Sequence, residues 1–127
     1  MGMFLTSLKT EEYILEGYNK KCYKLTEPLV YSDDKKGTII VPASFITDYA
    51  SIGVLKNVLL FPIYSVLSGY GDYASTVHDY LYATRMFDRK TCDDIFYRAL
   101  LAEGVSKWRA WMFWAGVRVG GSGSYNL

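Results

Sequence analysis

Between positions 10 and 41 the apolar residues come in short bursts interrupted by turn-forming residues, the pattern of half-buried β-strands. Tyr13-Ile14-Leu15, Cys22-Tyr23-Lys24-Leu25 and Leu29-Val30-Tyr31 are separated by Gly17-Tyr18-Asn19 and by Glu27-Pro28. The clearest unit is a hairpin. Leu29-Val30-Tyr31 and Thr38-Ile39-Ile40-Val41 flank a polar turn at 32–37, where Gly37 can take positive φ. Pro42 then ends the strand, because it has no N–H to give to a ladder.

Beyond position 45 the period lengthens to that of helices. The apolar run 54–61, broken by Pro62, predicts a short helix, with Asp48 or Ser51 placed to cap it. The same two residues are also candidates for a direct functional role. A loop with Gly69 and Gly71 leads into a helix from about Tyr73 to Thr84, and its glycines would let backbone approach a ligand closely. Thr91-Cys92-Asp93-Asp94 resembles a capping box at the start of the next helix. Its apolar stripe is Ile95, Phe96, Ala99 and Leu100, and Gly104 supplies the stop. The last helix, residues 107–119 after Ser106, is apolar nearly all round. Trp108, Trp111, Met112 and Ala115 form the stripe expected to pack on the preceding helix. The other reading makes this helix a docking surface for membrane or a protein partner. The expected fold is α+β, a small N-terminal antiparallel sheet with three or four C-terminal helices. Residues 1–119 make one domain, and 120–127 form a flexible Gly/Ser tail.

Composition narrows the function. Half of the 127 residues are hydrophobic and 17% are aromatic, which argues against disorder. Fourteen basic residues against 13 acidic ones leave a net charge of +1, so electrostatics offer no case for nucleic acid. Cys22 and Cys92 have neither zinc-site spacing nor a second histidine near them. The first residues lack the basic region and apolar run of a signal peptide, and no stretch is long enough to span a bilayer.

The candidate chemistry lies in Val77-His78-Asp79-Tyr80-Leu81-Tyr82, which holds the only histidine. On a helix His78 and Tyr82 share a face, and Asp79 points about a quarter-turn away. A short connection makes the next helix an antiparallel neighbour, so Asp93 at its start comes within reach of His78. An imidazole, carboxylates and a phenol can handle protons together. The same set can equally be a satisfied polar cluster inside the core.

Several motifs carry a family resemblance. Leu29-Val30-Tyr31, Ile40-Val41-Pro42, Phe45, Thr47-Asp48-x-Ala50-Ser51, the His78 segment and Asp93-x-x-Phe96-Tyr97 occur in that order. Over roughly residues 23–118 the chain resembles the small phage and prophage proteins grouped as domain-of-unknown-function family 1353. Where that pattern has proline after Ser51 and an apolar residue, this chain has Ile52-Gly53, which loosens the loop. The resemblance implies a phage or prophage origin and other phage proteins as partners. It implies a location in the host cytoplasm or the virion, and no established activity.

A narrower likeness is chemical. His78-Asp79-x-x-Tyr82 with Asp93-x-x-Phe96 is similar to the core of phospholipase A2. That likeness would make His78 the general base, Asp93 its orienting carboxylate and Tyr82 a supporting hydrogen-bond donor. Asp79 would be a calcium ligand together with glycine-loop carbonyls. The glycine loop here lies closer to the histidine than in phospholipases, and the disulfides are missing. Two function classes follow. One is a non-catalytic virion (tail) component or assembly factor, with His78, Asp79, Asp48 and Asp93 in a buried network. The other is a His-Asp hydrolase of phospholipid or other cell-envelope esters.

Overall fold

The computed structural model describes residues 2–14, 22–47 and 70–120. Strands fill the N-terminal part and helices the C-terminal part, an α+β arrangement. The strands are β1 (Met3–Phe4), β2 (Thr10–Tyr13), β3 (Cys22–Leu25), β4 (Leu29–Asp33), β5 (Gly37–Val41) and β6 (Ile46–Thr47). The helices are α1 (Asp72–Thr84), α2 (Arg89–Glu103) and α3 (Lys107–Gly120). The strands divide between two antiparallel three-stranded sheets, ordered β1-β4-β5 and β2-β3-β6, where one sheet was expected. Residues 48, 51, 54–61 and 121–127 lie outside the described residues, so Asp48, Ser51, the short helix and most of the tail go undescribed. Gly120, assigned above to the tail, is the last residue of α3.

The hairpin forms because its alternation matches the pleat. Leu29, Tyr31, Ile39 and Val41 are buried, while Val30 and Ile40 on the other face are not. The strands run longer than the apolar bursts suggested, since Asp33 pairs with Gly37 across a three-residue turn. Gly37 takes φ +80°, and the Asp33 carboxylate accepts the N–H groups of Lys35 and Lys36 at 3.1 Å each. A side chain that closes its own turn in this way stabilises it locally.

Helix α2 is the centre of the helical layer, touching α1, α3, β1 and β4. Ile95, Phe96, Ala99 and Leu100 are all buried, as the period requires. Its start differs from the expected one. The helix begins at Arg89 with Asp88 in the capping position, and the Thr91 hydroxyl donates to the Asp88 carboxylate. Asp94 takes Lys90 Nζ at 2.9 Å and the Trp114 indole N–H at 3.0 Å. With the helix starting at Arg89, Thr91 lies inside the first turn and cannot act as its cap. Gly104 stops the helix at φ +100°, as read from sequence.

The entry to α1 is set by packing. Gly71 has φ +89°, and a Cβ there would stand 3.1 Å from the Leu100 side chain. This glycine therefore serves helix contact rather than the approach of a ligand. The first turn's Ala74 N–H donates to Glu103 Oε1 at 2.9 Å, so a carboxylate from the end of α2 caps α1.

Helix α3 corrects the expected stripe, of which Met112 alone is among the partly buried residues packed against the core. Its inward residues are Ala110, Phe113, Gly116 and Val117. Trp108 and Trp111 are 51% and 58% exposed. Smaller residues let α3 approach α2 closely, and the indoles turn outward. Phe113→Ala should therefore cost about 3–5 kcal/mol, whereas Trp111→Ala should stay within about 1 kcal/mol. Urea unfolding of the two variants measures both, and a larger loss in Trp111→Ala would contradict this packing.

Candidate functional site

The antiparallel packing of α1 on α2 brings His78 to Asp93. His78 Nε2 lies 2.7 Å from Asp93 Oδ1, and the Tyr82 hydroxyl donates to the same oxygen at 2.5 Å. Spacing explains the pair: one helical turn separates His78 from Tyr82, so both reach one oxygen. The other oxygen, Oδ2, accepts Arg118 Nη1 from α3 at 2.8 Å. Arg89 Nη1 stands 3.8 Å from Oδ2, and its guanidinium also donates to the Arg118 carbonyl at 2.8 and 3.3 Å. Four side chains from three helices thus converge on one carboxylate.

The cluster is sealed by apolar neighbours. Asp93 is 0%, His78 2% and Tyr82 7% exposed. The imidazole lies between aromatic rings, its centroid 4.1 Å from Tyr82 and 4.6 Å from Phe96. Burial alone would raise the Asp93 carboxyl, but hydrogen bonds from His78, Tyr82 and Arg118 outweigh it and hold the group below its ordinary value. The same carboxylate adds to burial in pushing the Tyr82 phenol far above its usual range. Beside them the Cys92 thiol is pushed up to about 12, first by burial and then by the Asp93 charge, so it is no nucleophile near neutral pH.

Asp79 belongs to a different joint. It is partly exposed, and the Thr47 hydroxyl donates to its Oδ2, tying α1 to β6. Calcium takes 6–8 oxygen ligands, several of them charged. Among the described residues no group of three or more His, Cys, Asp or Glu side chains could hold a metal. The Gly71 carbonyl is spent on the Ser75 N–H at 2.8 Å. The described residues therefore do not fit the calcium site that the phospholipase likeness implies. Asp48 and Ser51 lie outside the described residues.

Sequence reasoning missed Arg89, Arg118 and Glu103. Arg118 and Glu103 are far from their partners along the chain, and Arg89, although one turn from Asp93, reads as a surface residue at a helix start. A signal did exist: a helical stripe that buries Asp93 must supply a cation from elsewhere.

A second buried carboxylate ties helix to sheet. Arg98 donates to Asp33 through Nε at 3.1 Å and Nη2 at 3.0 Å, and the Tyr31 hydroxyl adds a bond at 2.8 Å. Burial opposes the Asp33 charge, but the Arg98 and Tyr31 hydrogen bonds keep its carboxyl below the ordinary value.

A family model described as "Protein of unknown function (DUF1353)" matches residues 23–117, well over half of the chain. No curated protein and no solved structure matches.

The ion network makes stability depend on acid. A depressed carboxyl contributes stability above its unfolded pKa and loses it as pH falls through the folded value. For Asp93 and Asp33 that window lies below the ordinary value of about 3.8. Asp93→Asn should cost about 3–5 kcal/mol at pH 7, because Arg118 then loses its buried counter-charge. The deficit should shrink as pH drops below about 4, where Asp93 of the unfolded wild type takes up its proton, and continue to shrink down to the lower folded value. Urea titrations between pH 2.5 and 7 test this, and a deficit independent of pH would refute it.

Proposed function

Since the chain belongs to the family described as Protein of unknown function (DUF1353), we propose that it is a non-catalytic phage or prophage protein. It acts as a virion (tail) component or assembly factor, and its partners are other phage proteins. The origin and the partners come from the sequence likeness to small phage and prophage proteins. The observation that carries the non-catalytic reading is the state of Asp93, which is fully buried with both oxygens engaged. A base that works on a water needs access to it, and His78 is 2% exposed. The network then serves to fix how the three helices meet.

One observation favours the second reading, a His-Asp hydrolase of phospholipid or other envelope esters. Asp93 engages Nε2 of His78, and Tyr82 donates to the same carboxylate oxygen, which is the orienting contact that the phospholipase likeness gives to Asp93.

His78→Asn separates the two. It keeps a hydrogen-bonding side chain but removes the titratable base. On the proposed reading the wild type hydrolyses neither phospholipid nor simple esters, with or without calcium. The variant then loses about 1–3 kcal/mol of stability through the damaged network. Wild-type hydrolysis that falls on the order of 10²–10⁴-fold in a folded His78→Asn variant would overturn it. Deleting the gene and examining particles tests the assembly role. Normal yield and infectivity from particles that never contain the protein would refute that role.

A further inference from the structure

Helix α3 is apolar on two opposite faces, and only one of them is used by the fold. Ala110, Phe113, Gly116 and Val117 face the core. Trp108, Trp111, Ala115 and Val119 recur at helical spacing on the other side. Trp108, Trp111 and Val119 are 51%, 58% and 73% exposed. A helix that merely closes a core would carry polar residues there.

The charges that α3 itself carries have one sign. Helix α3 contains Lys107, Arg109 and Arg118 and no Asp or Glu. Arg118 is committed to Asp93. Among the described residues no carboxylate pairs with Lys107 or Arg109. Arg109 instead lies over the Trp108 ring at 4.4 Å and the Tyr70 ring at 4.8 Å, a cation held against two aromatic side chains. Beside Trp111 opens a cleft of about 260 Å³ lined by Asp94, Tyr97, Arg98, Trp111 and Trp114. Its charges are already met, Asp94 by Lys90 and Arg98 by Asp33, so what the cleft offers an occupant is chiefly its three aromatic walls.

We propose that the outward face of α3 docks on an anionic lipid surface, with Trp108 and Trp111 entering the interface and Lys107 and Arg109 meeting the headgroups. Tryptophan prefers the boundary between headgroups and acyl chains, and cations beside it add attraction to anionic lipid. No helix among the described residues is long and apolar enough to cross a membrane. The 14-residue helix therefore lies on the surface, about 21 Å of it. A second copy of the chain fits less well. A two-fold contact sets a patch against itself, and here that would bring cations together with no carboxylate on either helix. The proposal is independent of whether His78 is catalytic.

The test uses the full chain with two kinds of vesicle, phosphatidylcholine alone and an equal mixture of phosphatidylcholine and phosphatidylglycerol. The wild type should co-sediment with the mixed vesicles, shift its tryptophan emission to the blue, and release at high salt. Trp108→Ser with Trp111→Ser should weaken binding on the order of tenfold or more, and the far-ultraviolet dichroism should not change because both side chains are exposed. Lys107→Glu should weaken binding to the mixed vesicles selectively. No vesicle binding, equal binding to both compositions, or full binding by the tryptophan variant would each overturn the proposal. So would a wild-type dimer that the tryptophan variant dissolves, since the face would then belong to a second copy.

Discussion

A single buried negative charge governs how the helices are arranged. An ionised carboxylate out of water is costly unless several donors meet it, and Asp93 has three within hydrogen-bond distance. Two come from α1 and one from α3, while Asp93 itself sits on α2. None of these helices can slide by a turn without stranding either the carboxylate or its guanidinium. Arg89 adds a second tie between α2 and α3 through the Arg118 carbonyl. Replacing the whole set by apolar side chains of similar volume need not lower stability, whereas breaking it on one side does. Its contribution is therefore better seen as register than as strength.

The helical layer is fixed to the strands by the same device. Asp33 ends β4 and closes the hairpin turn with its own backbone contacts, yet its carboxylate also receives Arg98 from α2. Positions 93 and 98 lie five apart on one helix and point in different directions. One joins α2 to its helical neighbours and the other joins it to the sheet. Between these polar joints the packing is apolar, with Tyr31, Leu81, Phe96 and Phe113 buried. Glu103 completes the frame by capping α1 from the far end of α2.

Local chemistry was legible in the sequence, and distant chemistry was not. The hairpin, Gly37, the apolar stripe of α2 and the Gly104 stop follow from period and turn residues that act within a few positions. The meeting of His78, Tyr82 and Asp93 was also readable, because a short connection between helices leaves little freedom in how they pair. The start of α2 was misplaced because Asp88, three residues before Thr91, takes the capping position and receives the Thr91 hydroxyl. β1 was missed because two residues, Met3 and Phe4, carry no period, and only their pairing with β4 makes them a strand. Arg118 stands 25 residues from Asp93, and nothing near it in the chain points to a buried carboxylate.

The inversion of α3 is the most informative miss. A count of apolar residues favours the tryptophan stripe as the core face, since the indoles are the largest apolar groups there. Packing chose the opposite face. Helix α2 presents Phe96 to α3, where it meets Phe113 with ring centroids 6.0 Å apart, and small residues at 110 and 116 admit that contact. Indoles in the same place would force the helices apart and pull Arg118 away from Asp93. The ion network thus constrains which face of α3 turns inward. That choice leaves Trp108 and Trp111 in solvent, where they contribute little to folding. Side chains that folding does not need are open to selection for contact with something outside the chain.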